Sequence, residues 1–263
     1  MRPPQNTRKQ MSVPQSIIDS AKAVEKWLED QNKPATTPDS DLEFILRIGY
    51  SNVYRVGNAI AFSAGMQIDA DGAPQAYNPV SSKGLDALAN AGHPGNWWAI
   101  ATNNGRPSGE PVIQGDSDPA PGFYVSTTAL ENLAFRETQQ RRYVDSSTVP
   151  FIVLPFGAGM GLKLGDFFLV YNIATTDNDF AIYADVGPRG QIGEGSIALA
   201  KAIKVPPSPR TGGVSHGIVY VGFPGSGKGY QEKDVWFEQA AKVFNDWGGL
   251  ARLKGLVAGD EIL

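Results

Sequence analysis

Residues 180–203 constrain the fold more than any other part of the chain. They begin as a predicted strand, in which Ala181, Tyr183 and Asp185 alternate with apolar residues and share one face. Gly187 and Pro188 then end the strand, because proline has no amide hydrogen to donate to a neighbouring strand. The segment therefore predicts a strand that stops abruptly just after an aspartate.

A glycine-rich loop and a short helix follow this strand. Glu194 lies on the loop, and Ser196 is placed to cap a helix over residues 197–203. Two carboxylates on either side of a rigid turn, Asp185 and Glu194, suit acid-base hydrolysis of an acetal. Each also has a simpler interpretation. Asp185 is then a turn-capping residue before Gly-Pro, and Glu194 complements the helix N-terminus.

The rest of the chain consists of many short predicted strands separated by glycine and proline. Of 263 residues, 30 are glycine and 19 are proline, which is typical of a turn-rich β fold. Long helical periodicity occurs only at residues 12–31 and 231–247. We therefore predict one mainly-β domain over residues 41–263 with flanking N- and C-terminal helices. Residues 1–40 are predicted to form a disordered tail, an accessory helix and a linker.

Composition excludes several classes of function. The chain has no cysteine, which rules out disulfides, thiol catalysis and cysteine-bound metals. Its two histidines lack metalloprotease spacing, and no metal or other cofactor is predicted. The net charge is −4 and no Lys/Arg cluster is present, so we expect no nucleic-acid partner. An acidic protein of this kind is suited to a cationic partner.

No hydrophobic segment indicates a membrane or an export signal. No apolar run approaches the roughly 20 residues that span a bilayer, so no membrane association is expected. The first ten residues are basic, but no apolar core follows them, which does not fit a secretory signal.

Residues 222–229 nearly match the phosphate-binding pattern G-x-x-x-x-G-K-[ST]. The last position is Gly229, so the hydroxyl group that would bind magnesium is missing. Only about one helix and a tail follow, which is too little for the second acidic strand of a nucleotide-binding sheet. We expect no nucleotide site here, and instead a glycine-rich loop close to the candidate carboxylates.

Six phrases stand in order across about residues 45–230. They are IDADGAPQAY, ANAGHPGNWWA, DPAPGFYVSTT, YVDSSTVPFIVLP, YADVGPRGQIGEGSIALA and VYVGFPGSG. Together they resemble the chitosanases of family 75 of the glycoside hydrolases. Each phrase alone is weak, and the set is specific.

This resemblance implies an enzyme that hydrolyses β-1,4 links between glucosamine units inside chitosan chains, with inversion at the anomeric carbon. Its essential residues in the D-V-G-P and I-G-E-G-S segments correspond here to Asp185 and Glu194. We assign Glu194 as the acid and Asp185 as the base, with their carboxyl groups roughly 6.5–9.5 Å apart. The resemblance also implies an extracellular protein without a cofactor, and we expect a monomer.

The D-x-G-P phrase and the Ser-capped A-L-A helix also resemble the signature of double-psi β-barrels, which include expansins and some cellulases and peptidoglycan enzymes. This resemblance implies a double-psi β-barrel core.

Further residues are predicted to bind the substrate. Glucosamine amines are cationic in mild acid, so binding sites for them should be rich in carboxylates. Aromatic rings should stack on the sugars. Trp97 and Trp98 point to opposite faces if they lie on a strand, so one of them is a candidate platform. The candidate binding residues are Asp69, Asp71, Asp116, Asp118, Tyr77, Trp98 and Tyr124.

Two other functions fit the same residues. One is a non-catalytic, expansin-like polysaccharide-binding protein. The other is a hydrolase or lyase that acts on peptidoglycan. A reducing-sugar assay separates the first from a chitosanase, and a comparison of chitosan with cell walls separates the second.

Overall fold

The structure is a computed structural model, and it describes residues 41–158, 160–259 and 262. The accessory helix predicted at residues 12–31, like the rest of residues 1–40, lies outside the described residues. The described part is mainly β, as predicted. Its strands are β1 Leu42–Ile48, β2 Ser51–Val56, β3 Ala59–Asp69, β4 Gly92–His93, β5 Asn96–Trp97, β6 Phe151–Pro155, β7 Phe167–Asn172, β8 Asn178–Gly187, β9 Glu194–Ser196 and β10 Val214–Phe223.

Six of these strands close into a barrel. The hydrogen-bonded order is β3-β10-β7-β8-β6-β9, and β9 pairs in turn with β3, which completes the ring. The pairs β6–β8 and β3–β9 are parallel, and the other pairs in the ring are antiparallel. Strands β1 and β2 extend the sheet from β3 as a hairpin. Closure leaves the six ring strands without a free edge between them.

In the part of the chain that the structure describes, three α-helices follow β8. They are α1 Ile197–Ala202, α2 Lys233–Trp247 and α3 Gly249–Ala258. The helix predicted at residues 231–247 is confirmed, and it ends as expected at Gly248, whose φ of 126° only glycine adopts readily. Helix α3 was not predicted. No helix among the described residues is long and apolar enough to cross a bilayer.

Two large apolar clusters hold the described fold together, and a third, small one lies within residues 101–143. Of the two large clusters, one fills the barrel, and the other lies between the outer face of the barrel and helices α2 and α3. Alternate residues of each strand supply the two clusters, because successive side chains point to opposite faces of a sheet. Large buried members of the first are Phe62, Met66, Ile152, Leu154, Phe168 and Tyr220, and of the second Phe151, Phe167, Leu169, Trp236 and Phe244.

Residues 70–150 form a long insertion between β3 and β6. It contains the β4–β5 ribbon, isolated bridges and three short 3-10 helices, Ser81–Lys83, Leu88–Asn90 and Gln140–Arg142. The buried side chain of Gln140 secures it: its Nε2 donates to the carbonyl oxygens of Gly72 (2.8 Å) and Ser126 (3.0 Å). Its Oε1 accepts from the Ser126 amide (2.9 Å). These bonds fix the insertion beside the end of β3.

Candidate active site

Asp185 and Glu194 lie in one row across three neighbouring strands. In β6, Val153 is the partner of Asp185 in β8 and also of Glu194 in β9. The two acidic residues are therefore separated by two strand spacings, about 9–10 Å between Cα atoms. Residues directly opposite one another project from the same face of a sheet. The predicted pair thus lies together, with one residue between them.

A β-bulge turns Asp185 to the outside of the barrel. Strand β6 pairs Ile152 with Tyr183 and then Val153 with Asp185, so Ala184 is an extra residue in β8. Ile152 and Tyr183 belong to the interior cluster, and Val153 to the outer one. The prediction that Asp185 shares a face with Tyr183 is therefore wrong, because strict alternation does not allow for a bulge.

The carboxylate of Asp185 is held by two backbone amides. Its Oδ1 accepts from Val186 (2.8 Å) and from Ala129 in the insertion (2.9 Å). The amide of Leu130 donates to the carbonyl oxygen of Ala184 (2.8 Å), so the same segment also braces the bulge. These contacts fix the orientation of the half-buried carboxylate.

Glu194 lies on a strand, not on the loop that the sequence predicts. Strand β9 has only three residues, but it pairs with both β3 and β6 and closes the barrel. A Cβ atom at Gly187 would lie 3.5 Å from Oε2 of Glu194 and 3.1 Å from Cγ1 of Val153. A side chain at position 187 would therefore press on Val153 and stand in van der Waals contact with the Glu194 carboxylate.

Asp69 and Asp71 complete an acidic cluster at the end of β3. Oδ1 of Asp69 accepts from the Asp71 amide (2.7 Å), and the Tyr77 hydroxyl donates to Oδ1 of Asp71 (2.5 Å). Carboxylate oxygens of Asp69, Asp71 and Asp185 all lie within 4.8 Å of one another. The structure thus brings together both predicted catalytic residues and three of the predicted binding residues.

Burial and mutual repulsion raise the pKa values of all four carboxyl groups. Desolvation is the largest cause in each case. With the charge of Glu194, it raises the pKa of Asp69 to about 8. With the charge of Asp69, it raises the pKa of Asp185 to about 8, and with the charge of Asp185, that of Glu194 to about 7. The pKa of Asp71 is also raised well above its ordinary value. The pKa values of Asp69, Asp185 and Glu194 thus lie near neutral pH, where acid-base catalysts exchange protons.

The four carboxyl groups line a cavity of about 1050 Å³, which we call the central cleft. A second cavity of about 580 Å³, the side cleft, shares Asp71, Trp98 and Asp185 with it. The groove therefore continues past Asp185, as a site for the interior of a polymer requires.

Trp98 forms a fixed aromatic surface where the two clefts meet. It is 57% exposed, and its indole nitrogen donates to the Asn90 carbonyl oxygen (2.9 Å). The ring of His93 approaches it edge-on, with centroids 6.3 Å apart. Trp97 is buried in the interior cluster. The two neighbouring tryptophans thus divide into a core residue and an exposed platform.

The structure does not bring the remaining predicted binding residues to the cleft. Tyr124 packs against Trp97, with ring centroids 6.3 Å apart. Oδ2 of Asp118 accepts from the Gly115 amide within a surface turn (2.9 Å). Neither of them, nor Asp116, is among the residues that line the central or the side cleft.

Two further cleft residues were not identified from the sequence. Asp86 is buried, accepts from the Ala87 amide (2.7 Å) and the Asn90 side chain (2.8 Å), and contributes to the raised pKa of Glu194. Nη2 of Arg210 donates to three carbonyl oxygens of the segment that carries Asp86, those of Ser81, Gly84 and Asp86. The L-D-A-L sequence around Asp86 gives no signal of either role.

The three clustered aspartates also form a donor set that a hard cation accepts, because Ca²⁺ and Mg²⁺ prefer carboxylate oxygens. The same oxygens suit the ammonium group of an amino sugar. The absence of a metal stays a prediction.

The phosphate-binding-like loop is already occupied by a carboxylate. The amides of Gly225 (3.1 Å) and Gly227 (3.0 Å) donate to the buried side chain of Asp166, as does the amide of Lys163 (2.8 Å). The two glycine amides belong to the loop and are donors that would otherwise face a phosphate. The loop does not line the central or the side cleft. Its residues Lys228 and Gly229 line a separate cavity together with Ala129, whose amide donates to the Asp185 carboxylate. The expectation that the loop lies close to the candidate carboxylates stays a prediction.

Comparison with known proteins adds no assignment. No protein-family model matches the chain, and no curated protein matches it significantly. Any assignment of function therefore depends on the arrangement of residues in the cleft and on the phrases quoted above.

Proposed function

We propose that this protein is an endo-acting chitosanase, a glycoside hydrolase that cleaves β-1,4-glucosamine linkages with inversion. One observation carries the proposal: Asp185 and Glu194 flank Val153 on the outer face of the barrel, within an open cleft. A Cα separation of about 9–10 Å leaves room for two carboxyl groups roughly 6.5–9.5 Å apart, the spacing that admits a sugar and a water molecule.

Glu194 is the proposed general acid. Its pKa of about 7 keeps it protonated in mild acid, so it can deliver a proton to the glycosidic oxygen. Asp185 is the proposed base that takes a proton from the attacking water. Its carboxylate is held by two amides, so its free oxygen keeps a fixed direction toward the cleft.

The substrate itself favours the ionised form of the base. In the free cleft the pKa of Asp185, about 8, lies above that of Glu194, which is the wrong order for these roles. A glucosamine ammonium group bound beside Asp69 and Asp71 would lower the pKa values of the neighbouring carboxyl groups. A cationic substrate would thus favour the ionised form of Asp185, which acts as the base, whereas a neutral polymer would not.

The acidic cleft also accounts for the proposed partner. Five carboxyl groups line it, those of Asp69, Asp71, Asp86, Asp185 and Glu194, and Arg210 is the one cation among its described lining residues. The Nη2 atom of Arg210 donates its hydrogen bonds to backbone carbonyl oxygens of the neighbouring segment. We expect chitosan to bind more weakly as salt concentration rises, because salt screens such attraction.

The assignment of acid and base is tested with two substrates. Glu194→Gln should lose activity on chitosan, and keep much of it on a chitosan-oligomer glycosyl fluoride, whose leaving group needs no proton. Asp185→Asn should lose activity on both. The opposite pattern would exchange the two roles, and undiminished cleavage of chitosan by both variants would refute the proposal.

A polysaccharide-binding protein without catalytic activity would share the groove and the exposed Trp98 ring. Release of reducing ends from soluble chitosan by the wild-type protein separates the two functions. Release from bacterial cell walls but not from chitosan would indicate a peptidoglycan enzyme. We further propose that the closed barrel is of the double-psi type and that the protein is an extracellular monomer, as the resemblances imply.

A further inference from the structure

A third cavity extends the central cleft away from Trp98. It has a volume of about 570 Å³, and we call it the outer lobe. Gln67, Gln191 and Ser215 line both the central cleft and the outer lobe, so the two form one trench. Gln67 is the direct partner of Glu194 in the β3–β9 pair. A chain bound at the candidate acid would therefore reach the outer lobe next.

The outer lobe differs from the central cleft in charge. Its described lining contains no Asp, Glu, Lys or Arg, whereas five carboxyl groups line the central cleft. Its polar groups are hydroxyls, amides and the imidazole of His216, whose Nδ1 lies 2.9 Å from the Ser215 hydroxyl. Such a lining suits the hydroxyl groups of a sugar and has no preference for a cationic unit.

The outer lobe also presents an unusually exposed aromatic ring. Tyr50 lies in the turn between β1 and β2 and is 97% exposed, more than any other large hydrophobic residue described. The turn lies close to the loop between the catalytic candidates: Gly49 has φ of 56°, and a Cβ atom there would lie 3.1 Å from the Gly190 carbonyl oxygen. The ring therefore stands beside that loop, at the wall of the outer lobe.

We propose that the outer lobe is a binding subsite for a further sugar ring of the same polysaccharide chain, and that Tyr50 stacks on the apolar face of that ring. This inference rests on the proposed function for the identity of the polymer. The C–H groups of a pyranose face offer apolar surface to an aromatic ring, and the contact requires no charge. Recognition in the outer lobe is thus neutral, in contrast to the acidic central cleft.

The test compares long and short oligomers in Tyr50→Ala. We expect kcat/KM for a glucosamine octamer to fall between about 3-fold and 10-fold, the loss that corresponds to one aromatic contact. For the shortest oligomer that the wild type cleaves, kcat/KM should not change. Tyr50→Phe should retain octamer activity, because it keeps the ring. The control Phe44→Ala removes an exposed aromatic of the same hairpin that does not line the trench, and should have no effect.

A binding measurement decides the inference independently of catalysis. In a Glu194→Gln background, Tyr50→Ala should weaken octamer binding by the same factor in calorimetry. The loss of affinity caused by Tyr50→Ala should be the same at low and high salt, because stacking involves no charge. The affinity of both proteins for the octamer should itself fall as salt rises. Octamer affinity unchanged by Tyr50→Ala, or a factor that vanishes at high salt, overturns the inference. Failure of the wild type to cleave chitosan refutes the proposed function, and the binding factor still decides the role of Tyr50.

Discussion

Asp185 and Glu194 lie opposite the same residue, Val153, on the two strands that flank β6. The bulge at Ala184 and the pairing of β9 on both sides produce this arrangement. Both features belong to the closed barrel, so the spacing of the two carboxyl groups is set by sheet geometry and not by a mobile loop. A site built on strands holds catalytic groups more accurately than one built on loops.

Removal of either carboxyl group should abolish most activity. We expect Asp185→Asn and Glu194→Gln each to lower kcat on soluble chitosan by about 10²- to 10⁴-fold, the usual contribution of a general acid or base. Steady-state kinetics and circular dichroism on the same preparations check this. Asp118→Asn is the matched control, because that carboxylate caps a surface turn outside the central cleft, and its activity should stay close to wild type.

The pH dependence of kcat/KM should be bell-shaped. The productive form of the free protein needs a proton on Glu194 and none on Asp185, with pKa values of about 7 and about 8. We therefore expect a maximum between about 7 and 8 and a decline on either side. Bound glucosamine lowers the carboxyl pKa values, so the profile of kcat should shift to lower pH. If the pH profiles of kcat and kcat/KM coincide, the proposal that bound substrate promotes ionisation of Asp185 is contradicted.

Stability should fall as pH rises through the range in which the cluster ionises. The pKa of Asp69 is raised from 3.8 to about 8 in the folded state. Such a group contributes stability that is fully present below its unfolded pKa and is lost as pH rises through its folded pKa. The free energy of unfolding should thus decline between about pH 4 and pH 8.

Asp69→Asn isolates this effect. The amide oxygen of asparagine still accepts from Asp71, but the side chain carries no charge. At pH 9 we expect the variant to exceed the wild type in free energy of unfolding by about 1 kcal/mol or more, since one pKa unit corresponds to about 1.4 kcal/mol. Urea denaturation at pH 5 and pH 9 measures the difference. An advantage of equal size at both pH values would point to packing, not to ionisation.

Local sequence signals were sufficient for part of the fold and of the site. Helix α2 and the cap of α1 follow from periodicity and from Ser196, whose hydroxyl accepts from the Leu199 amide (3.1 Å). The strand that carries Asp185 follows from alternation and from the Gly-Pro stop. These features depend on residues close in sequence, which is why they were predictable.

Long-range pairing determines the rest. Strand β9 has three residues, too few for a periodic pattern, and exists because β3 and β6 lie on either side of it. No local sequence signal marks the bulge at Ala184, because residue types around it alternate in the sequence as they would in a regular strand. Asp86 and Tyr50 come to the trench through the folding of the insertion and the position of the β1–β2 turn. No property of their neighbours in sequence distinguishes them from surface residues.

We expect the Asp166 side chain to stabilise the fold, and we expect the glycine-rich loop beside it not to bind nucleotides. The buried carboxylate of Asp166 accepts from the amides of Lys163, Gly225 and Gly227, which ties the start of β7 to the glycine-rich loop. Asp166→Asn keeps one acceptor oxygen and replaces the other with a donor that faces amide hydrogens. We expect a loss of about 1–3 kcal/mol in the free energy of unfolding at pH 7. Asp246→Asn on the exposed face of α2 is the control and should cause no measurable change.

ATP with Mg²⁺ should leave the wild-type melting temperature unchanged, because Asp166 occupies the amides that a phosphate would need. A nucleotide-dependent rise in that temperature would show that the loop binds phosphate after all.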